Sequence, residues 1–378
     1  MRAYLDNAAT TPMAPEVIEV MTNVMKNNFG NPSSQHSFGR ESKAIIEHAR
    51  RSIAQLIHAE AKEIIFTSGG TEADNMAITG AVNDLGVKRI ISSSIEHHAV
   101  GHCIESHKQV RFDQVTVSTT GLVDLNHLEE LLKSGEKTLV SLMHANNEIG
   151  TLLDLKAVSI LCRKYNALFH SDTVQTMGHY AINVKELDID FITCAAHKFH
   201  GPKGVGFLYV NKNLKITPVI HGGSQERGLR GGTENLIGIA GLAKALELAN
   251  HDIEEHQRYV QDLKSYMIAE LKTRIAGITF HGEIDPAKSL YTVLNVCFPD
   301  FENKSMTLFL LDLDGVACSG GSACTSGAST GSHVLRGINA DNNRPNVRFS
   351  FSRYTTREEI DYALEKVEKV VLGQLVKS

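Results

Sequence analysis

The sequence predicts an α/β protein, with a mostly parallel sheet in a large domain and a smaller α+β domain after it. Two observations predict this. From about Glu63 to Val210, short β-branched runs alternate with amphipathic stretches of helical period, the pattern of strands joined by crossover helices. A length of 378 residues also suits two domains, or one large α/β domain with a companion.

Taken in order, EIIFTS (63–68), RIISSS (89–94), TLVSLMH (138–144), ALFHSD (167–172) and DFITCAA (190–196) read as strands. LDLKAVSILCRKYN (153–166) lies between two of them and repeats its apolar residues at helical spacing. A helical pattern from Asn235 to about Ile275 exceeds one ordinary globular helix, so it is expected to hold a bridge out of the large domain and the first helix of the small one. GITFHG (277–282) and YTVLNVCF (291–298) then read as strands, and SMTLFLLDL (305–313) and TREEIDYALEKVEKVV (356–371) as helices. Residues 318–332, CSGGSACTSGASTGS, hold only Cys, Ser, Gly, Ala and Thr, which on composition alone reads as a flexible loop.

Composition narrows the function classes. The chain is 42% hydrophobic and 21% charged, the proportions of a soluble globular protein. A net charge of -5 without basic blocks gives no reason to expect nucleic acid or an anionic membrane as partner. No apolar run approaches the ~18 residues that span a bilayer, and Asp6 interrupts the N-terminus before a secretory core could form. The six cysteines are widely spaced without a CxxC pair, so a reducing cytoplasm is expected.

Three local patterns carry chemistry. FTSGGTEADN (66–75) follows a strand and opens a helix; its glycines permit either a simple tight turn or a backbone cradle for phosphate. It is neither a Walker A nor a GxGxxG motif, so no nucleotide is implied. Asp172 ends a strand, where α/β sheets place ligand groups and where acids also merely cap helices. Lys198 follows another strand and precedes a glycine-rich turn, a poor place for a solvated charge and a good one for a Schiff-base lysine.

In that order these patterns resemble the pyridoxal-phosphate enzymes of the aspartate-aminotransferase fold (fold type I), with a lysine Schiff base and an acid on the pyridine nitrogen. YLDNAATTP (4–12), FGNPSSQHSFGR (29–40), EHHAV (96–100), HANNEIG (144–150), HSDTVQ (170–175), HKFHGPKG (197–204), HGGSQERGLRGGT (221–233), GSACTSG (321–327) and VRFSFSRYTT (347–356) are similar to blocks of the group I NifS/IscS cysteine desulfurases, in the class V aminotransferase family. The likeness spans essentially the whole chain. It implies a large cofactor-binding domain over 14–250, and a small domain of 1–13 with 251–378 that carries the catalytic-cysteine loop.

The resemblance implies roles residue by residue. Lys198 carries the cofactor and moves protons at the substrate Cα. Asp172 keeps the pyridine nitrogen protonated, and His97 stacks on the ring and, as a catalytic residue, assists proton transfer. Asn147 and Gln175 lie near the ring and its phenolic oxygen, while Gly70, Thr71 and His197 contact phosphate. Thr233 contacts the phosphate of a second subunit, so a homodimer is implied. Arg348 grips the substrate carboxylate, with Asn31 as a companion. Arg353 is either a further companion or a solvated surface residue. Cys324 receives sulfur from L-cysteine as a persulfide and, on a mobile arm, passes it to a sulfur-acceptor protein, an iron–sulfur scaffold or a tRNA-thiolation carrier. His98 and His102 are spaced i, i+4, but no acid or thiolate cluster completes a metal site, so none is expected. Cys318 reads as a small core residue or as a partner for Cys324 under oxidation.

Two positions depart from the family pattern. Ala195 stands where a phosphate-binding serine is usual, and Thr173 where alanine is usual. Other readings remain open at this point: a selenocysteine lyase, another class V aminotransferase-like enzyme, or a non-catalytic sulfur-relay or scaffold protein.

Overall fold

The computed structural model of the protein describes residues 1–302, 304–320, 331–341 and 343–373. The chain begins with β1 (Ala3–Tyr4), α1 (Pro15–Asn27) and α2 (Ser37–Leu56). Alternation then sets in: β2 (Ile64–Thr67), α3 (Gly70–Asn83), β3 (Arg89–Ser93), α4 (His98–Ser106), β4 (Arg111–Val115), α5 (Leu125–Leu132), β5 (Thr138–Ser141) and α6 (Leu155–Lys164). β6 (Leu168–Asp172), α7 (Val184–Leu187), β7 (Phe191–Ala195) and β8 (Gly206–Val210) complete a large sheet. Among the described residues its order is β2-β8-β7-β6-β5-β3-β4, with β8 alone antiparallel to its neighbours. The sequence's α/β expectation is met.

Side chains of a strand point alternately to its two faces, and the core divides accordingly. Ile64, Phe66, Ile91, Val140, Phe169, Ile192 and Phe207 pack with α1, α2, α6 and α8 (Leu236–His251). Ile65, Ile90, Leu139, Phe191 and Leu208 pack on the opposite face, with α3 and α4. Strands covered on both sides are apolar throughout, which is why five of them were legible as β-branched runs. The edge strand β4 was not, because Arg111, Phe112 and Gln114 face solvent.

The long helical stretch is two helices, α8 and α9 (Ile253–Arg274), broken at Asp252. Asn250, His251 and Asp252 are poor helix formers, and Glu254 with Glu255 favours a new helix start by opposing its dipole. β9 (Thr279–His281), β10 (Val293–Cys297), α10 (Thr307–Leu313), β11 (Val316–Ala317), α11 (His333–Gly337), β12 (Asn346–Ser350) and α12 (Arg357–Val371) follow. β12, β10 and β9 form an antiparallel sheet, and β1 pairs in parallel with β11. A separate core joins Ala3 and Leu5 to apolar residues between Val260 and Val371. Among the described residues no helix is long and apolar enough to cross a membrane.

One buried ion pair fixes the loop between β8 and α8. Arg50 of α2 and Glu226 are 2% and 4% exposed, and they pair through both guanidinium nitrogens at 2.7 and 2.8 Å. Glu226 also accepts the Phe66 N–H at 2.9 Å, while Arg50 donates to the Ile64 carbonyl and lies over the Phe66 ring. Glu226 and Arg227 hold left-handed backbone angles (φ 47° and 59°), a cost that this clamp offsets. Breaking one partner of such a pair strands a buried charge. Glu226→Gln should therefore lose about 3 kcal/mol of stability in urea unfolding, and Arg50→Met combined with Glu226→Leu should recover part of that loss.

Candidate active site

Residues that follow the strands of the large sheet converge on one cavity of about 250 Å³, lined by Ala8, Ala9, Gly70, Thr71, Asp74, His97, Met143, Asn147, Asp172, Val174, Gln175, Ala195, His197, Lys198 and Arg348. The convergence follows from topology. β2, β3, β5, β6 and β7 all run the same way, so the segments after them meet at one edge of the sheet, on either side of the place where strand order reverses.

α3 begins at this edge. Gly69, with φ +154°, turns the chain out of β2, and at Gly70 an added Cβ would lie 2.6 Å from the Val174 side chain. The unpaired first N–H groups of α3 thus border the cavity. Asp172 ends β6 and accepts the Val174 N–H at 2.9 Å through Oδ1. Lys198 lies in the turn after β7, where its Nζ donates to the Ala8 carbonyl and, at 2.9 Å, to that of Ala9. Gln175 Nε2 also donates to the Ala8 carbonyl, at 3.0 Å.

His97 caps α4: its Nδ1 accepts the Ala99 N–H at 3.2 Å, which leaves the ring proton on Nε2. Burial holds His97 below the usual imidazole range, with Asp172 opposing. His197 is lowered to about 4 by burial and then by Lys198 and Lys203; its Nδ1 lies 3.2 Å from Thr10 Oγ1. Arg348 comes from β12, 1% exposed. It donates to Asp6 Oδ1 and to the Asn147 carbonyl, each at 2.9 Å, and its Nε has no hydrogen-bond partner among the described residues.

The cavity therefore unites Gly70, Thr71, His97, Asn147, Asp172, Gln175, His197, Lys198 and Arg348. Asn31 is exposed, and its side chain bonds the Ser33 N–H outside the cavity. Thr233 is exposed in a separate groove with Thr67, Ser68 and Glu226. Cys324 lies outside the described residues. The Cys318 thiol is half-buried and pushed up to about 12, by burial first and then by Asp6 and Asp312. Ala195 packs 3.8 Å from the Cβ position of Gly70, and Thr173 satisfies its hydroxyl on the Thr193 carbonyl at 2.6 Å.

Sequence reading missed Ala8, Ala9 and Asp74. The alanines act through carbonyls, which no side-chain pattern reveals. Asp74 did leave a signal, an acid on the face of α3 that otherwise buries Ala73, Met76 and Ala77. Among the described residues no group of acids, thiols and imidazoles could hold a metal ion.

The chain belongs to the class-V aminotransferase family, which matches residues 3–363, and within it to the NifS/IscS cysteine desulfurases, as the following relatives show. A cysteine desulfurase IscS of Dictyoglomus turgidum is 44% identical over 374 residues, covering 97% of this chain and 94% of the relative. A solved NifS-like protein is 36% identical with a TM-score of 0.91, over 99% of this chain and 100% of that one. SspA, solved in complex with cysteine, is 30% identical with a TM-score of 0.79, over 94% and 100%.

Burial also sets the acid sensitivity of the fold. His144, His179 and His197 are lowered to about 4, and His170 and His200 to about 3, each mainly by desolvation. A depressed folded value means that the unfolded chain binds more protons, so this stability is present above about pH 6.5 and is lost as pH falls toward the folded values. Asp74 and Asp190, raised by burial, and Glu96, raised to about 8 by burial, have the opposite sign and favour the fold at lower pH. Five imidazoles outweigh three carboxyls. The urea midpoint should fall steadily from about pH 6.5 to pH 4.5; a midpoint that rises over this range would contradict the neutral burial of these rings.

Proposed function

We propose that this protein is a pyridoxal-phosphate-dependent cysteine desulfurase that removes sulfur from L-cysteine, releases L-alanine and leaves the sulfur on Cys324 as a persulfide. The observation that carries this reading is the meeting of Lys198 and Asp172 on one cavity, opposite the start of α3. The relatives' names and the cysteine bound to SspA support the substrate.

The residues present fit the cofactor. The first turn of α3 offers free N–H groups and the positive end of a dipole to a phosphate, over a glycine that leaves the approach open. Gly70, Thr71 and His197 would hold that phosphate, and Thr233 would reach it from a second copy of the chain in a homodimer. Asp172 would bond the protonated pyridine nitrogen, His97 would cover one ring face, and Asn147 and Gln175 would lie beside the phenolic oxygen. The absent Ser hydroxyl at Ala195 weakens phosphate retention by about 1.5–3 kcal/mol where water does not substitute. Bound pyridoxal phosphate supplies an electron sink for the pair left on the substrate Cα.

The chain's own groups do the rest. Arg348 binds the substrate carboxylate through the N–H groups that Asp6 and the Asn147 carbonyl leave open. Lys198 Nζ takes the Cα proton and returns a proton to the product. The Cys324 thiolate attacks the substrate Sγ: an S–S bond forms, the Cβ–Sγ bond breaks, and its electron pair stays with the carbon skeleton, which leaves as alanine after protonation. The persulfide passes to an acceptor protein of iron–sulfur cluster assembly or tRNA thiolation. Cys103, Cys162, Cys194, Cys297 and Cys318 are free thiols, which supports a cytoplasmic setting.

Lys198→Ala should lose the cofactor's visible absorbance. Cys324→Ser should keep that colour yet lower alanine and sulfide release from L-cysteine by at least about two orders of magnitude. Undiminished sulfide release by Cys324→Ser would overturn the assignment.

A further inference from the structure

Behind Asp172 lies a second carboxyl group that the reaction above does not use. Asp74 of α3 lines the same cavity, yet it is 1% exposed. Its Oδ1 sits 3.4 Å from Nε2 of His170, which is fully buried. Neither atom has a hydrogen-bond partner among the described residues. The other ring nitrogen of His170 lies 2.8 Å from Ser141 Oγ. The Thr193 hydroxyl, on the same face of the sheet, lies 3.5 Å from Asp172 Oδ1.

Asp74 is buried with a second carboxyl nearby, and both facts disfavour its ionised form. Position separates the two groups. Asp172 accepts a backbone N–H and faces Lys198 across the cavity, whereas Asp74 faces an orphaned imidazole nitrogen. We propose that Asp74 is a positioning residue for the reaction, sharing one proton with neutral His170 so that Asp172 has no charged neighbour on α3 competing for the pyridine nitrogen. The inference rests on the reading of Asp172 as the partner of the pyridine nitrogen. A charged Asp74 would compete for that proton and would draw the ring away from Asp172; a neutral one leaves Asp172 to hold it.

The surroundings agree. The groups facing Asp74 are His170 and Asp172 from β6, Glu96 before α4 and Cys103 within it. None of these is a fixed cation; Lys198 and Arg348, which line the same cavity, bond instead to the Ala8, Ala9 and Asn147 carbonyls and to Asp6. Burial, and then Asp172, raise Asp74 well above the usual carboxyl range, while burial lowers His170 to about 3. Both directions describe an uncharged pair.

The test compares wild type with Asp74→Asn, a neutral isostere, as apoprotein and as holoenzyme. At about pH 7.5, the wild-type infrared spectrum should contain a protonated-carboxyl band that Asp74→Asn lacks, in both forms. The pH titration of the holoenzyme's visible absorbance should agree between the two within about half a unit. A missing band, or a titration displaced by more than about one unit, would overturn the inference. Should Asp74→Asn fail to fold, the 15N resonances of the His170 ring in wild type, assigned by their loss in His170→Asn, decide the matter. A neutral imidazole is expected, and an imidazolium would refute the shared proton. Failure of the wider reading would show differently, as wild type that gains no visible absorbance with pyridoxal phosphate; the apoprotein band still reports Asp74.

Discussion

The register of three adjacent parallel strands is the constraint on which the site depends. Ser141 pairs with His170, and Asp172 with Thr193. Because side chains alternate between faces, this register sets Ser141, His170, Asp172, Thr193 and Ala195 on the face that α3 covers. A slip of one residue in β6 would turn Asp172 and His170 toward the opposite layer and bring Ser171 and Phe169 round instead. The slip is opposed by the core itself, since Phe169 and Ile192 are fully buried against the other helices. The apolar pattern that makes the sheet foldable is thus the same pattern that aims the polar groups.

That polar cluster is costly to bury, and the surrounding chain offsets the cost with backbone groups. The Ala8 and Ala9 carbonyls receive Lys198, the Met143 N–H donates to Glu96, and the Val174 N–H donates to Asp172. Arg348 links the three sheets: it stands on β12, holds Asp6 near β1 and reaches the Asn147 carbonyl beyond β5. This guanidinium is therefore fixed from both parts of the chain at once, which gives it an orientation that a surface arginine lacks.

Much of this was legible in the sequence, for physical reasons. Fully buried strands must be apolar along their length, so β2, β3, β5, β6 and β7 announced themselves, and strand ends before Asp172, Lys198 and the glycine turn marked the site. The polar edge strand β4 broke the pattern, and the division of α8 from α9 was hidden because helical period continues on both sides of Asp252. Ala8 and Ala9 carry no side-chain chemistry to notice. Asp74 was visible as an acid on an apolar helical face, but only the approach of His170 gives it meaning. Cys324 stood out only through the resemblance of GSACTSG to a family block, since composition alone reads 318–332 as a flexible loop.

The central claim is that the cavity holding Lys198 and the thiol of Cys324 act on one L-cysteine molecule. The most direct measurement is mass spectrometry of the proteolytic peptide spanning residue 324 after brief incubation of the holoenzyme with L-cysteine, beside Lys198→Ala. The account predicts one added sulfur on Cys324 in the wild type and none in the variant. Sulfur appearing on another cysteine, or on Cys324 regardless of Lys198, would contradict it.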